Sequence, residues 1–195
     1  ILQLQELDPV RSKPTIKNST LGVSDQQIPK KPEPAYKIQA GFVDEKSKSP
    51  FTFSISQTII DFSTLSPTNP IKRSNNLTVS KGSSNGYSVI ASEDRELSAS
   101  LSSTLIPDTS CDNGLCSELN SALWTNPLTY GFGYRCDNVL VNACASGFSD
   151  LEFYKQFANT SMSETPQKVA TGSNNKSEKT VRITYKINIP GTQPF

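Results

Sequence analysis

Hydrophobic and polar residues alternate along several short segments of the chain. The clearest example is Phe51–Ser56, where every second residue is apolar and the residues between them carry hydroxyl groups. A longer example is Val181–Ile189, in which we expect the basic residues Arg182 and Lys186 to lie on the outer face. Because successive side chains of a strand point to opposite faces of a sheet, this period of two predicts β-strands with one buried face.

Turn-forming residues separate these segments from others of the same kind. Further strands are predicted at Tyr36–Phe42, Ile59–Phe62, Asn75–Ser80, Tyr87–Ser92 and Leu128–Tyr134. The segment Lys81–Gly86 ends in Asn-Gly, which tolerates positive φ, and predicts a hairpin between the strands on either side of it. Helical patterns are short and confined to Leu119–Trp124 and Leu151–Ala158. With roughly eight short strands, the expected fold class is all-β, an antiparallel β-sandwich of the immunoglobulin-like or pilin-like kind.

The first 35 residues follow a different pattern. Prolines interrupt this stretch at positions 9, 14, 29, 32 and 34, and charged residues lie between them. Such a sequence is typical of an extended arm, so we divide the chain into an arm at 1–35 and a β-sandwich domain at 36–195. At the beginning of the arm, Leu2 and Leu4 alternate with Gln3 and Gln5, as in a short strand.

Four cysteines occur as two close pairs, Cys111 with Cys116 and Cys136 with Cys144. An even number and close spacing favour two disulfides that close loops, although four cysteines allow three connectivities. The alternative is a zinc site of four cysteines, but seven residues separate Cys136 from Cys144, more than zinc-binding pairs typically have. Because disulfides persist in oxidising compartments, the cysteines predict a periplasmic, surface or secreted location.

The composition argues against two classes of partner. The formal net charge is +1 and the 19 basic residues are spread along the chain, so no positively charged surface for nucleic acid is predicted. No apolar run approaches the roughly 20 residues of a transmembrane helix, so no membrane span is expected. Only 34% of the residues are hydrophobic and 19% are charged, and the excess of Ser, Thr and Asn favours sheets with one face in water.

The chain contains no histidine. This removes the commonest general base and the commonest zinc ligand, and cysteines in disulfides supply no thiol nucleophile. Two carboxylates could still converge for acid–base chemistry; the candidates are Asp61, Glu93, Asp94, Glu96, Asp150 and Glu152. No pattern distinguishes them from solvated surface charges, so we predict no catalytic residue, no cofactor site and no enzymatic activity.

The segment Asp108–Gly114 combines oxygen-bearing side chains with a glycine, as a calcium-binding loop does. It lacks the spacing and the bidentate glutamate of an EF-hand. We therefore favour a turn that a disulfide closes, in which Asp and Asn side chains cap the backbone, and we predict no metal site.

Four aromatic residues, Trp124, Tyr130, Phe132 and Tyr134, lie close together in the sequence. They could form a platform on which sugar rings stack. The spacing of two residues between the last three favours the hydrophobic core instead.

Several short motifs carry a family resemblance. They are Tyr36–Phe42, Phe51–Ser56, Ile60–Pro67, Asn85–Val89, Ile106–Asp112, Tyr130–Tyr134, and Ser149-Asp150 followed by Phe153–Phe157. Over about residues 36–193, the chain resembles uncharacterised exported surface β-domain proteins of candidate phyla radiation bacteria, the Patescibacteria. The resemblance implies an exported, surface-exposed β protein and transfers no functional site.

Members of that family continue, after a segment like Val181–Gln193, into a further strand of Gly-Thr-Tyr type that closes the domain. The resemblance therefore implies an unpaired edge in this chain, which either a truncation or a strand from a neighbouring subunit would explain. We expect the segment Ile1–Leu7 to be that donor strand and to insert into the next copy. Its apolar residues are Ile1, Leu2, Leu4 and Leu7.

The sequence thus predicts a structural subunit of an extracellular filament, pilus-like appendage or cell-surface layer, which assembles with copies of itself by strand exchange. The alternative is a secreted or anchored adhesion module that binds a surface glycan or protein. In both cases the predicted location is extracellular or on the cell surface.

Overall fold

Alternating segments form most of the regular structure. The computed structural model describes residues 52–80, 86–98, 104–139, 142–148, 151–173 and 177–191, together with the backbone of 2–6. The strands in these ranges are β1 (Leu2–Glu6), β2 (Phe53–Ile55), β3 (Ile71–Val79), β4 (Tyr87–Ala91), β5 (Leu97–Ser98), β6 (Leu105–Ile106), β7 (Ala122–Leu123), β8 (Gly131–Asn138), β9 (Phe153–Tyr154), β10 (Gln167–Gly172) and β11 (Lys179–Asn188). Two short 3₁₀ turns, Asp112–Gly114 and Thr160–Met162, are the helical elements of the described residues. The protein is therefore mostly β.

Two sheets dominate the structure. The larger has the order β2-β3-β11-β8 and the smaller has the order β1-β4-β10, and all of these neighbours are antiparallel. In the larger sheet β11 pairs with β3 from Lys179 to Ile187 and with β8 from Val181 to Asn188. Two further pairs of two-residue strands, β5-β6 and β7-β9, lie outside these sheets.

One hydrophobic cluster takes side chains from both sheets. Its buried members include Leu77, Tyr87, Val89, Tyr134, Val169 and Ile183. The strands β2 and β11 therefore confirm the two clearest alternating patterns. The expected class, a mostly β protein with antiparallel sheets and two disulfides, is also confirmed.

The predicted hairpin at Lys81–Gly86 is wrong, because β3 and β4 belong to different sheets. Gly86 does adopt positive φ, at 93°, and a Cβ atom there would lie 2.4 Å from the carbonyl oxygen of Gly172. The Asn-Gly signal thus indicates local backbone conformation correctly. It does not determine the partner, since β3 finds a much longer pairing surface on β11.

Three other local predictions are wrong. Ile59–Phe62 forms no strand, because the Asp61 side chain accepts the Ser63 N–H (2.7 Å) and shapes a turn there. The two predicted helical segments instead contain β7 and β9, which pair with each other. Each is too short to form a helix that is stable on its own, so pairing determines its conformation.

The predicted division of the chain at residue 35 falls outside the described residues, as do residues 7–51. Contacts divide the chain into two units, Ile1–Asp8 with Ser49–Phe195, and Pro9–Lys48. All described residues belong to the first of these units.

Both predicted disulfides are present. Cys111 bonds to Cys116 with a Cα–Cα distance of 5.4 Å, and Cys136 bonds to Cys144 with a distance of 5.7 Å. On the loop-entropy model, rings this short each stabilise the fold by about 2 to 2.5 kcal/mol. The bonds also indicate that the protein folds in an oxidising environment.

Candidate functional site

The outer edge of β4 is the first candidate site. There β1 pairs with β4 in a continuous register, in which Leu2 lies opposite Ala91 and Leu4 opposite Val89. Ala91 and Val89 are buried core residues, so the two leucines of the predicted donor strand are aligned with the core positions of its partner. The other two residues of that strand, Ile1 and Leu7, lie outside the described residues.

The opposite edge of the small sheet is covered in a different way. The Ala145 N–H donates to the Val169 carbonyl at 2.9 Å, and the Thr171 N–H donates to the Ala143 carbonyl at 2.7 Å. These bonds place the segment around Cys144 along the outside of β10, and its disulfide attaches this segment to β8. One edge of the small sheet is therefore covered by a covalently anchored segment, whereas β1 covers the other through backbone pairing.

A pair of acidic residues lies just beyond the end of β4. Glu93 is 8% exposed, and backbone hydrogen bonds with Ala158 (2.9 Å) and Thr160 (3.0 Å) fix its position. Apart from the interaction of Glu93 with Asp108, no described group hydrogen-bonds with either carboxyl oxygen of Glu93 or with Oδ1 of Asp108. Two neighbouring carboxyl groups, of which Glu93 is buried and Asp108 is half-buried, cannot both be charged without a large cost.

Burial is the main cause that raises the pKa of both acids. It raises the pKa of Glu93 to about 8, and the negative charges of Asp108, Glu96 and Glu164 add to the effect. It raises the pKa of Asp108 to about 6, and the hydrogen bond from Glu93 opposes this rise. Near neutral pH, the buried carboxyl of Glu93 therefore holds a proton.

Glu93 also lines a cavity of about 330 Å³. Three aromatic rings line the same cavity, those of Phe132, Phe157 and Tyr185. Their planes differ by 6° to 23°, and their centroids lie 5.5 to 6.2 Å apart. The cavity thus combines an aromatic surface with a buried acidic residue in its lining.

The predicted aromatic core is largely confirmed. Trp124, Phe132 and Tyr134 are buried, although Trp124 belongs to a smaller cluster with Tyr154 and the Cys111–Cys116 disulfide. Tyr130 is 45% exposed and precedes the strand β8, so it does not share the buried face.

Lys186 contradicts the prediction that it faces outward, whereas Arg182 is exposed as expected. Lys186 is 4% exposed, its ammonium donates to the Trp124 carbonyl at 2.6 Å, and it lies 4.4 Å from the centre of the Trp124 ring. Burial, followed by the charge of Lys72, lowers the pKa of Lys186 to about 8. The loop that carries Trp124 covers this side of β11, which the local alternation of β11 does not reveal.

Replacing Lys186 by methionine should change the free energy of unfolding by no more than about 1 kcal/mol at neutral pH, because methionine keeps the hydrocarbon contacts and avoids burying a charge. Between about pH 8 and 10.5, the unfolded wild-type chain binds more protons than the folded one, so wild-type stability should rise relative to the variant. Urea denaturation across this range measures the difference. Arg182→Met, an exposed change on the same strand, should show no such trend; a parallel trend in both variants would contradict the assignment.

The calcium-like segment forms a turn, as expected. The Asp112 carboxylate accepts the backbone N–H groups of Thr125 (2.8 Å) and Asn126 (3.1 Å) and the hydroxyl of Thr129 (3.1 Å). Asp108, at the start of the segment, pairs with Glu93 instead. Of the six acidic residues that the sequence offered as candidates, Glu93 does lie beside a second acid. That acid is Asp108, which was not one of the six.

Among the described residues, no group of three or more Asp, Glu or Cys side chains is placed to hold a metal ion. The described part of the chain also contains no helix that is long and apolar enough to cross a membrane.

The fold and these sites define a mostly β protein braced by two disulfides. No family model, curated protein or solved structure matches the chain. The resemblance to bacterial surface proteins therefore stays a prediction.

Proposed function

We propose that this protein is a structural subunit of an extracellular filament, pilus-like appendage or cell-surface layer, and that it assembles by exchanging β1 between copies. The domain in this proposal is a β-sandwich, in keeping with the cluster that takes side chains from both sheets. It carries out no catalysis. The two disulfides support an extracellular location, since they need an oxidising compartment.

The observation that carries the proposal is the pairing of β1 with the edge of β4. Residues 7–52 lie between β1 and β2, so this strand is joined to the domain by a long connection. Extended chain spans roughly 3.3 Å per residue, and a connection of this length can reach either its own β4 or that of a neighbour. The same backbone hydrogen bonds form in both arrangements, and exchange between copies then links subunits into a chain.

The test compares the full chain with a chain that begins at Leu21. Size-exclusion chromatography and negative-stain imaging of the full chain should show filaments or large assemblies. The shorter chain lacks the donor strand and should remain a monomer. If the shorter chain forms the same assemblies as the full one, strand exchange through β1 is wrong.

An adhesion module is the second candidate, and one observation favours it. Tyr130 is 45% exposed and lies near Leu128, which is 73% exposed. An exposed aromatic ring of this kind can stack on a sugar. Binding on a glycan array that is lost in Tyr130→Ala, by a protein that remains monomeric, would favour adhesion over assembly.

A further inference from the structure

A second cleft lies beside β10, at the edge of the small sheet opposite to β1. Its volume is about 620 Å³, which is within the usual range for small-ligand sites. The polar side chains that line it are Ser146, Lys155, Thr165, Gln167, Lys168 and Thr171. Both charged groups of this set are cations, and no described acidic residue lines the cleft.

One wall of the cleft is formed by the segment Cys144–Ser146. The disulfide between Cys136 and Cys144 attaches this segment to β8, and the Ala145 N–H donates to the Val169 carbonyl of β10 at 2.9 Å. The wall is therefore held on both sides before any ligand arrives. A preformed site of this kind loses little conformational entropy when a ligand binds.

Lys155 is the buried cation of this lining. Only 7% of the residue is exposed, and two backbone hydrogen bonds with Tyr134 (2.8 and 2.9 Å) fix its position. No described group hydrogen-bonds or forms an ion pair with its ammonium, and the ammonium is not one of the unpaired polar atoms that are sealed from water. A molecule in solution can therefore reach a cation that lacks a counterion.

The ammonium of Lys155 lies beside the wall of the cleft. A Cβ atom built on Gly147 would lie 3.4 Å from its Nζ, and the centre of the Phe148 ring lies 5.2 Å from it. Both residues directly follow Ala145 and Ser146, which line the cleft. The unpaired ammonium is thus next to the residues that form the wall.

The electrostatics of this site favour an anion. Burial lowers the pKa of Lys155, because the ammonium has lost hydration without gaining an oppositely charged partner. The face of the Phe148 ring compensates for part of this loss. A carboxylate would compensate for more, since a hydrogen bond between two charged groups is strong where water is partly excluded. Lys168, which is exposed, adds a second positive charge to the lining.

We propose that this cleft binds a small sugar acid, whose carboxylate accepts a hydrogen bond from the ammonium of Lys155. The hydroxyl groups of the sugar match the hydroxyl and amide side chains of the lining. Leu119 and Pro166 also line the cleft, and they offer an apolar surface to the C–H groups of the ring. This site is at the opposite edge of the small sheet from the β1–β4 pairing, so it does not depend on the proposed assembly.

The first experiment uses glucuronate as the probe in calorimetric titration of the full chain. Glucose is the neutral control, because it has the same ring without the carboxylate, and inorganic phosphate is the control for an anion without a sugar. Glucuronate should bind saturably, and both controls should bind about tenfold more weakly or less. No saturable binding of glucuronate, or equal affinity for glucose or phosphate, would overturn the proposal.

Two variants locate the binding. Lys155→Met keeps the hydrocarbon part of the side chain and removes the charge, so glucuronate binding should weaken by about tenfold or more. Arg182→Met removes an exposed positive charge on β11, outside the lining, and should change the affinity by less than about twofold. Unchanged affinity in Lys155→Met would show that the cleft is not the binding site.

A further measurement needs no variant and is therefore independent of any effect on folding. The wild-type protein is treated with a trace of acetic anhydride, and mass spectrometry measures the acetylation of each lysine. Saturating glucuronate should protect Lys155, whereas glucose should not, and the reaction of Lys179 on β11 should be the same in all samples. Acetylation of Lys155 that glucuronate leaves unchanged would overturn the assignment to this cleft.

Discussion

A chain with proline at both Gln3 and Leu4 should fail to assemble and should lose about 1 to 3 kcal/mol of stability towards urea. Successive N–H groups of a strand point to opposite sides, so one of the two prolines removes a hydrogen bond to β4 whichever way the strand is oriented. Both residues pair with β4, Gln3 with Ile90 and Leu4 with Val89. Without β1, the edge of β4 is exposed.

The matched control places the same two prolines at Ser12 and Lys13, in a stretch that already contains Pro9 and Pro14. This variant should assemble and unfold as the wild type does. Unfolding is best followed at low protein concentration, because assembly adds a concentration-dependent stabilisation. Equal assembly and stability in the two proline variants would show that β1 does not matter for either.

The acidic pair should make the protein less stable as the pH rises. Folded-state pKa values of about 8 for Glu93 and about 6 for Asp108 exceed their values of 4.5 and 3.8 in an unfolded chain. The folded state therefore binds more protons between about pH 4 and 8, and the free energy of unfolding falls as the pH increases through this range. Glu93→Gln with Asp108→Asn removes this dependence, because the amides cannot ionise.

At pH 8 the double amide variant should be more stable than the wild type by several kcal/mol, and near pH 4 most of this advantage should disappear. Urea denaturation at several pH values measures this. The control is Asp94→Asn with Glu178→Gln, the same charge change at two exposed positions. If the stabilities of the wild type and the double amide variant change in parallel from pH 4 to 8, the acidic pair is not buried and coupled as described.

Local patterns predicted the strands that carry a long alternation. Phe53–Ile55 and Lys179–Asn188 are strands because a period of two is hard to satisfy in any other backbone conformation. The cysteine pairs were also predictable, since short loops bring their thiols together without help from the rest of the fold. These features depend on residues close in sequence.

Features that depend on distant residues were not predictable. Lys186 is buried because Trp124, which is 62 residues away in the sequence, lies over it. Glu93 and Asp108 meet because one follows β4 and the other follows β6, and nothing near either residue indicates the other. A lone acid after an alternating strand, followed by Asp and Arg, is indistinguishable in sequence from a solvated surface charge.

Disulfide trapping across the β1–β4 register tests strand exchange most directly. One copy carries Gln3→Cys and another carries Ile90→Cys, at positions that are register partners, while all four native cysteines are already in disulfides. After the two proteins are mixed, unfolded and refolded together without reductant, strand exchange predicts a disulfide between the two chains. In the control, the second copy carries Lys168→Cys instead of Ile90→Cys. Lys168 lies on β10, on the far side of β4 and roughly 9.5 Å from β1, which is too far for a disulfide. Two results together would contradict exchange. The mixture would contain no linked pair of chains, and a single chain that carries both Gln3→Cys and Ile90→Cys would form an internal disulfide.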